Sequence, residues 1–340
     1  MKICIYGAGA IGSLLGLRLA FQGAEVSVVE VGPTLAAIQE HGLRVIEKGG
    51  TFSAKVHATS DPATLGQQDL VIVAVKGPTL KFIAPKIAPL LGPDTVVMTA
   101  MNGVPWWFFH GFGGPYAGMQ LRSVDPEGII AANIPVERVI GCVIMLSCRM
   151  VQPGLIEHVS GNKLSIGEPD SKASLRLSAL NSQLSQSGFD VIASESIQKD
   201  IWLKLLGNMT HNPISALTGA TLDRILNDPL VSQLCIEAMY EAAEVGTKFG
   251  CVMSDTPEQR QESTRSLGAF KTSMLQDVEA KRAVELDALV GAVSEIAKKV
   301  GVKTPFTDAL LGLARVQAQV LGLYPESPMP ERELTIAAGK

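Results

Sequence analysis

Apolar runs alternate with segments of helical periodicity along the first half of the chain. The runs predict strands at residues 3–6, 25–30, 70–75, 95–100 and 139–145. The runs 70–75 and 95–100 are almost continuously apolar, which is typical of strands buried on both faces. Helical spacing at residues 14–21 and 34–41 separates the first strands. This alternation predicts an α/β fold with a doubly wound, mostly parallel sheet of the Rossmann type.

A glycine-rich turn links the first predicted strand to the first predicted helix. It has the pattern G-x-G-x-x-G, formed by Gly7, Ala8, Gly9, Ala10, Ile11 and Gly12. The first glycine permits the tight turn, the second lets backbone approach a pyrophosphate, and the third lets the helix pack close to the strand. Free N–H groups at the helix start then face the phosphates. The strand–turn–helix context favours a dinucleotide site over a purely structural turn.

The remaining periodic segments complete the sheet and divide the chain. A small hairpin is predicted from residues 43–46 and 52–58, an antiparallel addition from 154–159 and 163–166, and a last strand from 189–193. Long helical periods then replace the strands, at residues 197–209, 229–249, 272–300 and 306–322. We predict a dinucleotide-binding domain over 1–190, an all-helical domain over 191–325 and a loosely ordered, Pro-rich tail over 326–340.

Composition and charge narrow the class of function. The 340 residues are 46% hydrophobic and 18% charged, so the chain can bury a large core. The net charge of −4 gives no basic footprint for nucleic acid. No charge-free apolar run reaches the roughly 18 residues of a membrane helix, and the start does not resemble a signal peptide. Five scattered cysteines, and no His/Cys/Asp/Glu cluster with metal spacing, predict a metal-free, cytoplasmic protein with reduced thiols.

Polar residues follow two neighbouring strands at the edge where α/β proteins bind ligands. Lys76 comes directly after the run 70–75, and Asn102 follows the run 95–100. Taken alone, each also fits a solvated loop lysine or an Asn-Gly turn. Because both residues belong to the same edge, a shared site is favoured over two unrelated turns.

One predicted helix of the second half carries a polar stripe among apolar residues. Lys204, Asn208 and Asn212 recur at i, i+4 and i+8, which puts them on one face if the helix continues that far. Burial would lower the pKa of Lys204 and suit it to donate a proton near neutral pH. The alternative is the exposed polar face of an amphipathic helix, and Pro213 predicts a kink or an end there. His158 and His211 are interpreted as structural.

Together, these residues resemble the ketopantoate reductase (2-dehydropantoate 2-reductase) family over nearly the whole chain. The resemblance rests on the glycine turn, Val75-Lys76, Asn102-Gly103, Lys204-x-x-x-Asn208-x-x-x-Asn212-Pro213, and Ser273-Met274-Leu275-Gln276-Asp277 followed by Glu285. It implies a Rossmann domain joined to a helical domain of the 6-phosphogluconate dehydrogenase C-terminal type, with the site in the cleft between them. It also implies NADP(H)-dependent reduction of a branched 2-keto acid, ketopantoate, to its 2-hydroxy acid in pantothenate biosynthesis.

The same resemblance implies a role for each matching residue. Lys204 would be the general acid, and Glu285 would position it and contact the cofactor. The residues implied to bind substrate are Asn102, Asn208, Asn212 and Ser273. Those implied to contact the cofactor, besides the glycine turn, are Lys76, Asn102 and Glu285. Without the resemblance, the segment that holds Ser273 and Glu285 is an ordinary amphipathic helix.

The end of the second predicted strand departs from the family pattern. Family members that use NADPH often carry a basic residue there to meet the 2′-phosphate, and this chain has Val31. The preceding Glu30 suits the ribose hydroxyls of NAD and would repel a 2′-phosphate. NADP(H) is therefore the expectation from the family, and NAD(H) is the alternative from the residues.

A second departure follows Asn102, where residues 106–116 hold six of the chain's 17 aromatic residues. This stretch could line or cover the substrate site, form a dimer surface, or build a satellite core. A bulkier 2-oxo acid, reduced with NADH, is thus the alternative substrate class, and a non-catalytic dinucleotide sensor is the alternative function. The expected partners are a small 2-keto acid and, in a homodimer, a second copy of the chain.

Overall fold

The structure is a computed structural model that describes residues 1–112 and 114–326. Its strands are β1 (Lys2–Tyr6), β2 (Glu25–Val29), β3 (Leu43–Glu47), β4 (Gly50–Ala54), β5 (His57–Thr59), β6 (Gln68–Val73), β7 (Leu91–Thr99), β8 (Val139–Gln152), β9 (Leu155–Gly167) and β10 (Asp190–Ala193). Its helices are α1 (Ala10–Phe21), α2 (Gly32–His41), α3 (Gly77–Ile83), α4 (Ile129–Asn133), α5 (Leu175–Gln186), α6 (Ile197–Thr218), α7 (Leu222–Asn227), α8 (Pro229–Lys248), α9 (Pro257–Arg265), α10 (Ser273–Glu279), α11 (Ala292–Val300) and α12 (Pro305–Val320). Of the predicted tail, residues 327–340 lie outside the described residues.

The ten strands of the described residues belong to one sheet, in the order β4-β3-β9-β8-β7-β6-β1-β2-β5, with β10 beside β9. Among the described residues, only the pairs β3–β4 and β8–β9 are antiparallel. The predicted mostly parallel, doubly wound sheet is confirmed, and it curls around α1, which contacts β1, β2, β3, β8 and β9. Because β10 pairs with β9, this strand crosses the domain boundary predicted at residue 190, and the boundary itself stays a prediction.

Two strand predictions were wrong in detail. The run 52–58 is not one strand: the β3–β4 hairpin ends at Ala54, and β5 pairs in parallel with β2 on the other side of the sheet. The runs 154–159 and 163–166 are not separate, since both belong to β9, which forms a long hairpin with β8. A bulge at Asn162 in β9, opposite Met145 and Leu146, keeps this hairpin continuous between the two predicted runs.

The alternating side chains of β1 explain why the central strands are apolar on both faces. Ile3 and Ile5 pack in a core with Leu14 of α1, whereas Cys4 and Tyr6 face a second core. That second core continues without interruption into the helical half of the chain. The two domains therefore share one apolar core.

The aromatic stretch after Asn102 mostly builds this shared core. Phe108, Phe109 and Phe112 pack against Trp202 of α6 and Phe249, with ring centroids 5.0–5.9 Å apart. Edge-to-face geometry dominates the contacts to Phe249, as the charge distribution of aromatic rings favours. Of the three expectations for residues 106–116, these contacts match a core, although it is the main shared core and not a satellite.

Two helix predictions also need correction. The helix predicted for residues 197–209 is α6, which runs through Pro213 to Thr218, so it does not end at that proline, and a kink there stays a prediction. The helix predicted for residues 272–300 is interrupted after α10, where Lys281 adopts φ +53°. Helical structure resumes with a π-helical turn at Asp287–Gly291, which leads directly into α11. Each described helix is too short or too polar to span a bilayer.

Candidate active site

The strand order places a ligand crevice at the carboxyl ends of β1 and β6. β1 lies between β2 and β6, so the connections leave in opposite directions from this point, which is where doubly wound sheets bind ligands. Gly7 follows β1, and a Cβ built on it would lie 2.7 Å from the Val75 side chain beyond β6. The two loops that border the crevice are therefore in contact.

The glycine turn has the shape that a diphosphate needs. A Cβ on Gly12 would lie only 2.0 Å from the carbonyl oxygen of Gly7, so only glycine permits this close contact between helix and turn. A Cβ on Gly9 would meet no protein atom within 4 Å, so the backbone there is open to a ligand. Within the described residues, the amides of Ala10, Ile11 and Gly12 have no acceptor. The residues present therefore fit the diphosphate of a dinucleotide.

Glu30 points at this turn from the end of β2. Its Oε2 accepts a hydrogen bond from the Ala8 amide at 2.7 Å, and its Oε1 accepts one from the Val31 amide at 2.9 Å. The Val31 side chain is 65% exposed beside it. The carboxylate thus contributes negative charge on the side of the turn next to β2, and the residue that follows supplies no cation.

Lys204 and Asn102 meet across the two domains. The Lys204 ammonium on α6 donates a hydrogen bond of 2.8 Å to Oδ1 of Asn102, which follows β7. Burial between the domains lowers the pKa of Lys204 to about 8, although Cys142 and Glu285 oppose the shift. This amine therefore exchanges its proton near neutral pH, as a general acid must.

The loop that carries Asn102 is fixed by its neighbour Gly103. Gly103 has φ +81°, and a Cβ on it would lie 2.5 Å from the carbonyl oxygen of Ala288. The next amide, that of Val104, donates to the same oxygen at 2.8 Å. The Asn-Gly pair is therefore a turn that docks on the helical domain and holds the Asn102 amide toward Lys204.

Glu285 closes the cleft from the helical domain. Its Oε1 accepts a hydrogen bond of 3.0 Å from the Gly77 amide at the start of α3. Burial raises the pKa of this carboxyl, while the Gly77 amide and the charges of Lys76 and Lys204 partly oppose the change. Glu285 is thus within the electrostatic reach of both lysines that the sequence singled out.

The sequence assigned no role to Asp277, which holds Lys76. The buried Asp277 carboxylate pairs with the Lys76 ammonium and also accepts from Arg282 at 3.0–3.1 Å. The Lys76 amine lies 3.5 Å from the Ala283 carbonyl as well. Asp277 belongs to the sequence motif that begins at Ser273, so this segment could be singled out from the sequence. Its partner Lys76 lies 201 residues earlier in the chain, and only the structure shows that the two side chains pair.

The remaining predicted substrate residues continue the same side of the cleft. Asn208 and Asn212 follow Lys204 along the unbroken α6, and Asn212 is buried. Ser273 is exposed in the first turn of α10, which packs against α6. Among the described residues, none of these three side chains has a hydrogen-bond partner, so their polar atoms are available to a ligand. Their roles stay predictions.

The two histidines considered from sequence lie outside this cluster. Burial, with a smaller contribution from Arg260, lowers the pKa of His211 to about 4 and keeps it neutral. The His158 ring contacts the Gly161 carbonyl at 2.6 Å and Arg18 at 3.4 Å on the sheet. In the part of the chain that the structure describes, no group of three or more His, Cys, Asp or Glu residues is placed to hold a metal.

The chain is similar to known proteins over both of its domains. Residues 3–171 match the model "Ketopantoate reductase PanE/ApbA", and residues 196–318 match its C-terminal counterpart. A 2-dehydropantoate 2-reductase from Mesorhizobium japonicum is 44% identical over 325 residues, which cover 95% of this chain and 100% of that protein.

Solved structures agree with this match. A crystal structure assigned to the ketopantoate reductases, from Ralstonia solanacearum MolK2, is 53% identical with a TM-score of 0.92, covering 95% of this chain and 99% of that one. D-mandelate dehydrogenase with NADH and anilino(oxo)acetate is 25% identical with a TM-score of 0.82, covering 95% of this chain and 100% of that one. The chain belongs to the ketopantoate reductase PanE/ApbA family of oxidoreductases.

Proposed function

We propose that this chain reduces the keto group of 2-dehydropantoate to a hydroxyl, using a reduced nicotinamide dinucleotide. The observation that carries the proposal is the Lys204–Asn102 hydrogen bond of 2.8 Å, made by an amine whose pKa is lowered to about 8. The substrate named for the relative at 44% identity supports the choice of oxo acid. The geometry beside the glycine turn supports the dinucleotide.

Each polar group of the cleft has a task in this reaction. When bound, the reduced nicotinamide supplies the hydride. The Lys204 ammonium donates its proton to the carbonyl oxygen, while Asn102 holds the amine in place. The residues proposed to hold the substrate's carboxylate and hydroxyl are Asn208, Asn212 and Ser273. Glu285 supports the positive charge of Lys204 and is close to the cofactor side of the cleft.

A panel of 2-oxo acids, each tested with NADH and NADPH, tests the proposal. We expect 2-dehydropantoate to give the highest kcat/KM, with the 2-hydroxy acid as the product. A protein that bound the dinucleotide but turned over no oxo acid would instead be a sensor, and the proposed activity would be wrong. The retained amine and amides of the cleft favour the enzyme over that alternative.

For the cofactor we propose NADH rather than NADPH, because of Glu30. A 2′-phosphate would lie near a carboxylate that already accepts two backbone amides, with the exposed Val31 beside it. Like charges brought together at a binding site cost several kcal/mol. The proposal therefore favours NAD(H), which Glu30 and Val31 indicate, over NADP(H), which the family resemblance implies.

The variant Glu30→Gln tests this cofactor assignment. We expect the wild type to prefer NADH in kcat/KM by about tenfold or more, and Glu30→Gln to lose most of that preference because the repulsion is removed. Steady-state kinetics with both cofactors give the ratio. Glu25→Gln, an exposed carboxylate at the other end of β2, is the matched control and should leave the ratio unchanged. A wild type that prefers NADPH would contradict the assignment.

The pKa of Lys204 also predicts a pH dependence. Because the general acid must be protonated, kcat/KM for reduction should be flat below pH about 8 and fall as pH rises above it. The oxidation of the hydroxy acid needs the neutral amine, so its rate should rise across the same range. Initial rates in both directions measure this, and parallel profiles for the two directions would rule out Lys204 as the titrating group.

A bulkier 2-oxo acid is the second candidate substrate. The structural similarity to D-mandelate dehydrogenase, at 25% identity and a TM-score of 0.82, is the observation that favours it. Phenylglyoxylate in the same panel distinguishes the two candidate substrates. If its kcat/KM exceeded that of 2-dehydropantoate, the bulkier 2-oxo acid would become the preferred assignment. A homodimer also stays a prediction, which the molar mass in solution tests.

A further inference from the structure

Helix α12 carries apolar residues on two opposite sides. One side is buried and packs on α6, α8 and α11. Its residues are Thr307, Leu311, Ala314 and Ala318. The other side is exposed to solvent, and its residues recur three and four positions apart: Phe306, Ala309, Leu313, Val316 and Val320. We call this second set the outer stripe.

The outer stripe is not an ordinary solvent-facing helix surface. The charged residues of α12, Asp308 and Arg315, both lie on one flank between the two apolar sides. A surface helix normally places its charged and polar residues opposite the core, and a helix that is apolar all round is normally buried. The outer stripe therefore has the character of a face that another element covers.

The exposed apolar surface continues from Phe306 into a groove of about 500 Å³. Tyr240 of α8 lines this groove together with Val252 and Met253, which precede α9. Large apolar side chains along the stripe, in the groove and just after α12 are 42–80% exposed: Tyr240, Val252, Phe306, Leu313, Val316, Val320 and Leu321. Contiguous apolar surface of this kind marks sites of protein–protein contact.

The area of this surface is sufficient for a contact between two copies of the chain. Burial of a large apolar side chain removes on the order of 100 Å² from water, so seven half-exposed ones offer on the order of 500 Å². A two-fold contact buries the same patch on both copies, about 1,000 Å² in total, which is the size at which specific interfaces begin.

We propose that the outer stripe is a homodimer interface, in which two copies of α12 cross antiparallel on a two-fold axis at Leu313. The stripe is symmetric about that residue, because Phe306 and Val320 each lie seven positions from it. Phe306 then faces Val320 of the partner subunit, and Leu313 faces Leu313 of the partner subunit. A two-fold contact requires a patch that is complementary to itself in this way.

Small residues next to Leu313 let the two helices approach closely. A Cβ on Gly312 would meet no protein atom within 4 Å, and Ala309 adds only a methyl group to the stripe. Leu313 and Val316 supply the larger side chains that interdigitate across the axis. The groove beside Phe306 receives Leu321 of the partner subunit, which extends the contact beyond the two helices.

Charge favours a second copy over a membrane surface. Helices that bind at a membrane surface carry Lys and Arg beside their apolar face and are attracted to anionic lipids. The groove instead includes the carboxylates of Glu237, Glu244 and Asp255. The segment that would enter it, residues 319–322 of the second copy, carries no charge and meets no repulsion there.

Sedimentation equilibrium of the full chain tests the interface. We expect the wild type to be a dimer at micromolar concentration and Leu313→Glu to raise the dimer Kd at least about 100-fold, because two carboxylates meet on the axis. Leu175→Glu is the matched control, since Leu175 is an exposed leucine of α5 in the other domain. Its Kd should equal that of the wild type.

Mixing oppositely charged variants tests the position of the two-fold axis. Leu313→Glu and Leu313→Lys should each be monomeric alone, and an equimolar mixture should regain the dimer because the axis then joins a carboxylate to an ammonium. Gly312→Gln is a second variant, whose side chain enters open space in the monomer but blocks the approach of the second helix. Unchanged far-UV circular dichroism shows that each variant keeps its fold.

Several outcomes would overturn the proposal. These are a monomeric wild type, a Leu313→Glu protein that stays dimeric, a mixture that does not associate, or dissociation by Leu175→Glu. A wild type that dimerises only after deletion of residues 327–340, or that is monomeric and sediments with anionic vesicles, would assign the stripe to the tail or to a membrane instead. The proposal goes beyond the proposed reaction, and because its readout needs no turnover, the two can fail separately.

Discussion

Replacing Lys204 with alanine is expected to lower kcat for oxo acid reduction by about 10²–10⁴-fold, because a positioned general acid contributes that much. The amine donates at 2.8 Å to Asn102 and is the group in the cleft whose pKa is lowered to about 8. Its loss should not weaken dinucleotide binding by more than about twofold, since the glycine turn lies in the other domain. Steady-state kinetics together with the dinucleotide Kd measure both effects.

Lys199→Ala is the control for that variant. Lys199 is an exposed lysine on the same helix, and removing it changes the charge equally without touching the cleft. Its kcat should equal that of the wild type. If Lys204→Ala retained wild-type kcat for every accepted oxo acid, the proton would come from another group and the proposed role would be wrong.

Gly12→Ala is expected to destabilise the protein and to abolish most dinucleotide binding. The new methyl group would lie 2.0 Å from the Gly7 carbonyl oxygen, so α1 must move away from the turn. Forcing extra volume into a packed contact costs about 1–3 kcal/mol of the free energy of unfolding. The displaced helix start would also misplace the amides that face the diphosphate. Denaturant unfolding and a dinucleotide titration measure the two losses.

Gly9→Ala separates packing from binding. Its methyl group would meet no protein atom within 4 Å, so the free energy of unfolding should stay within about 0.5 kcal/mol of wild type. Dinucleotide affinity should still fall at least about tenfold, because the methyl group occupies the space through which a diphosphate approaches the backbone. Equal destabilisation by both variants would contradict the different roles given to the two glycines.

The features that the sequence predicted well depend on local patterns. The continuous apolar runs identified the central strands because those strands are buried on both faces, as Ile3 and Cys4 illustrate. The glycine turn was recognisable because strand, turn and helix are adjacent in sequence. The i, i+4, i+8 stripe from Lys204 to Asn212 held because α6 continues through Pro213.

The features that were missed depend on contacts between distant residues. The pairing of β5 with β2, and the union of two short runs into β9, are set by neighbouring strands rather than by periodicity. The Lys76–Asp277 ion pair and the Glu285–Gly77 hydrogen bond each join residues about 200 positions apart. Just beyond the break after α10, Arg282 turns back and donates a hydrogen bond to Asp277, a contact that the helical periodicity does not indicate.

The most direct test of the central claim is a single-turnover experiment with 2-dehydropantoate, comparing the wild type with Lys204→Met. Oxidation of the bound reduced dinucleotide reports hydride transfer without the steps of product release. We predict rapid transfer in the wild type and a rate at least about 10²-fold lower in Lys204→Met, with unchanged dinucleotide affinity. Equal rates in the two proteins, or no transfer in the wild type with either cofactor, would contradict the account.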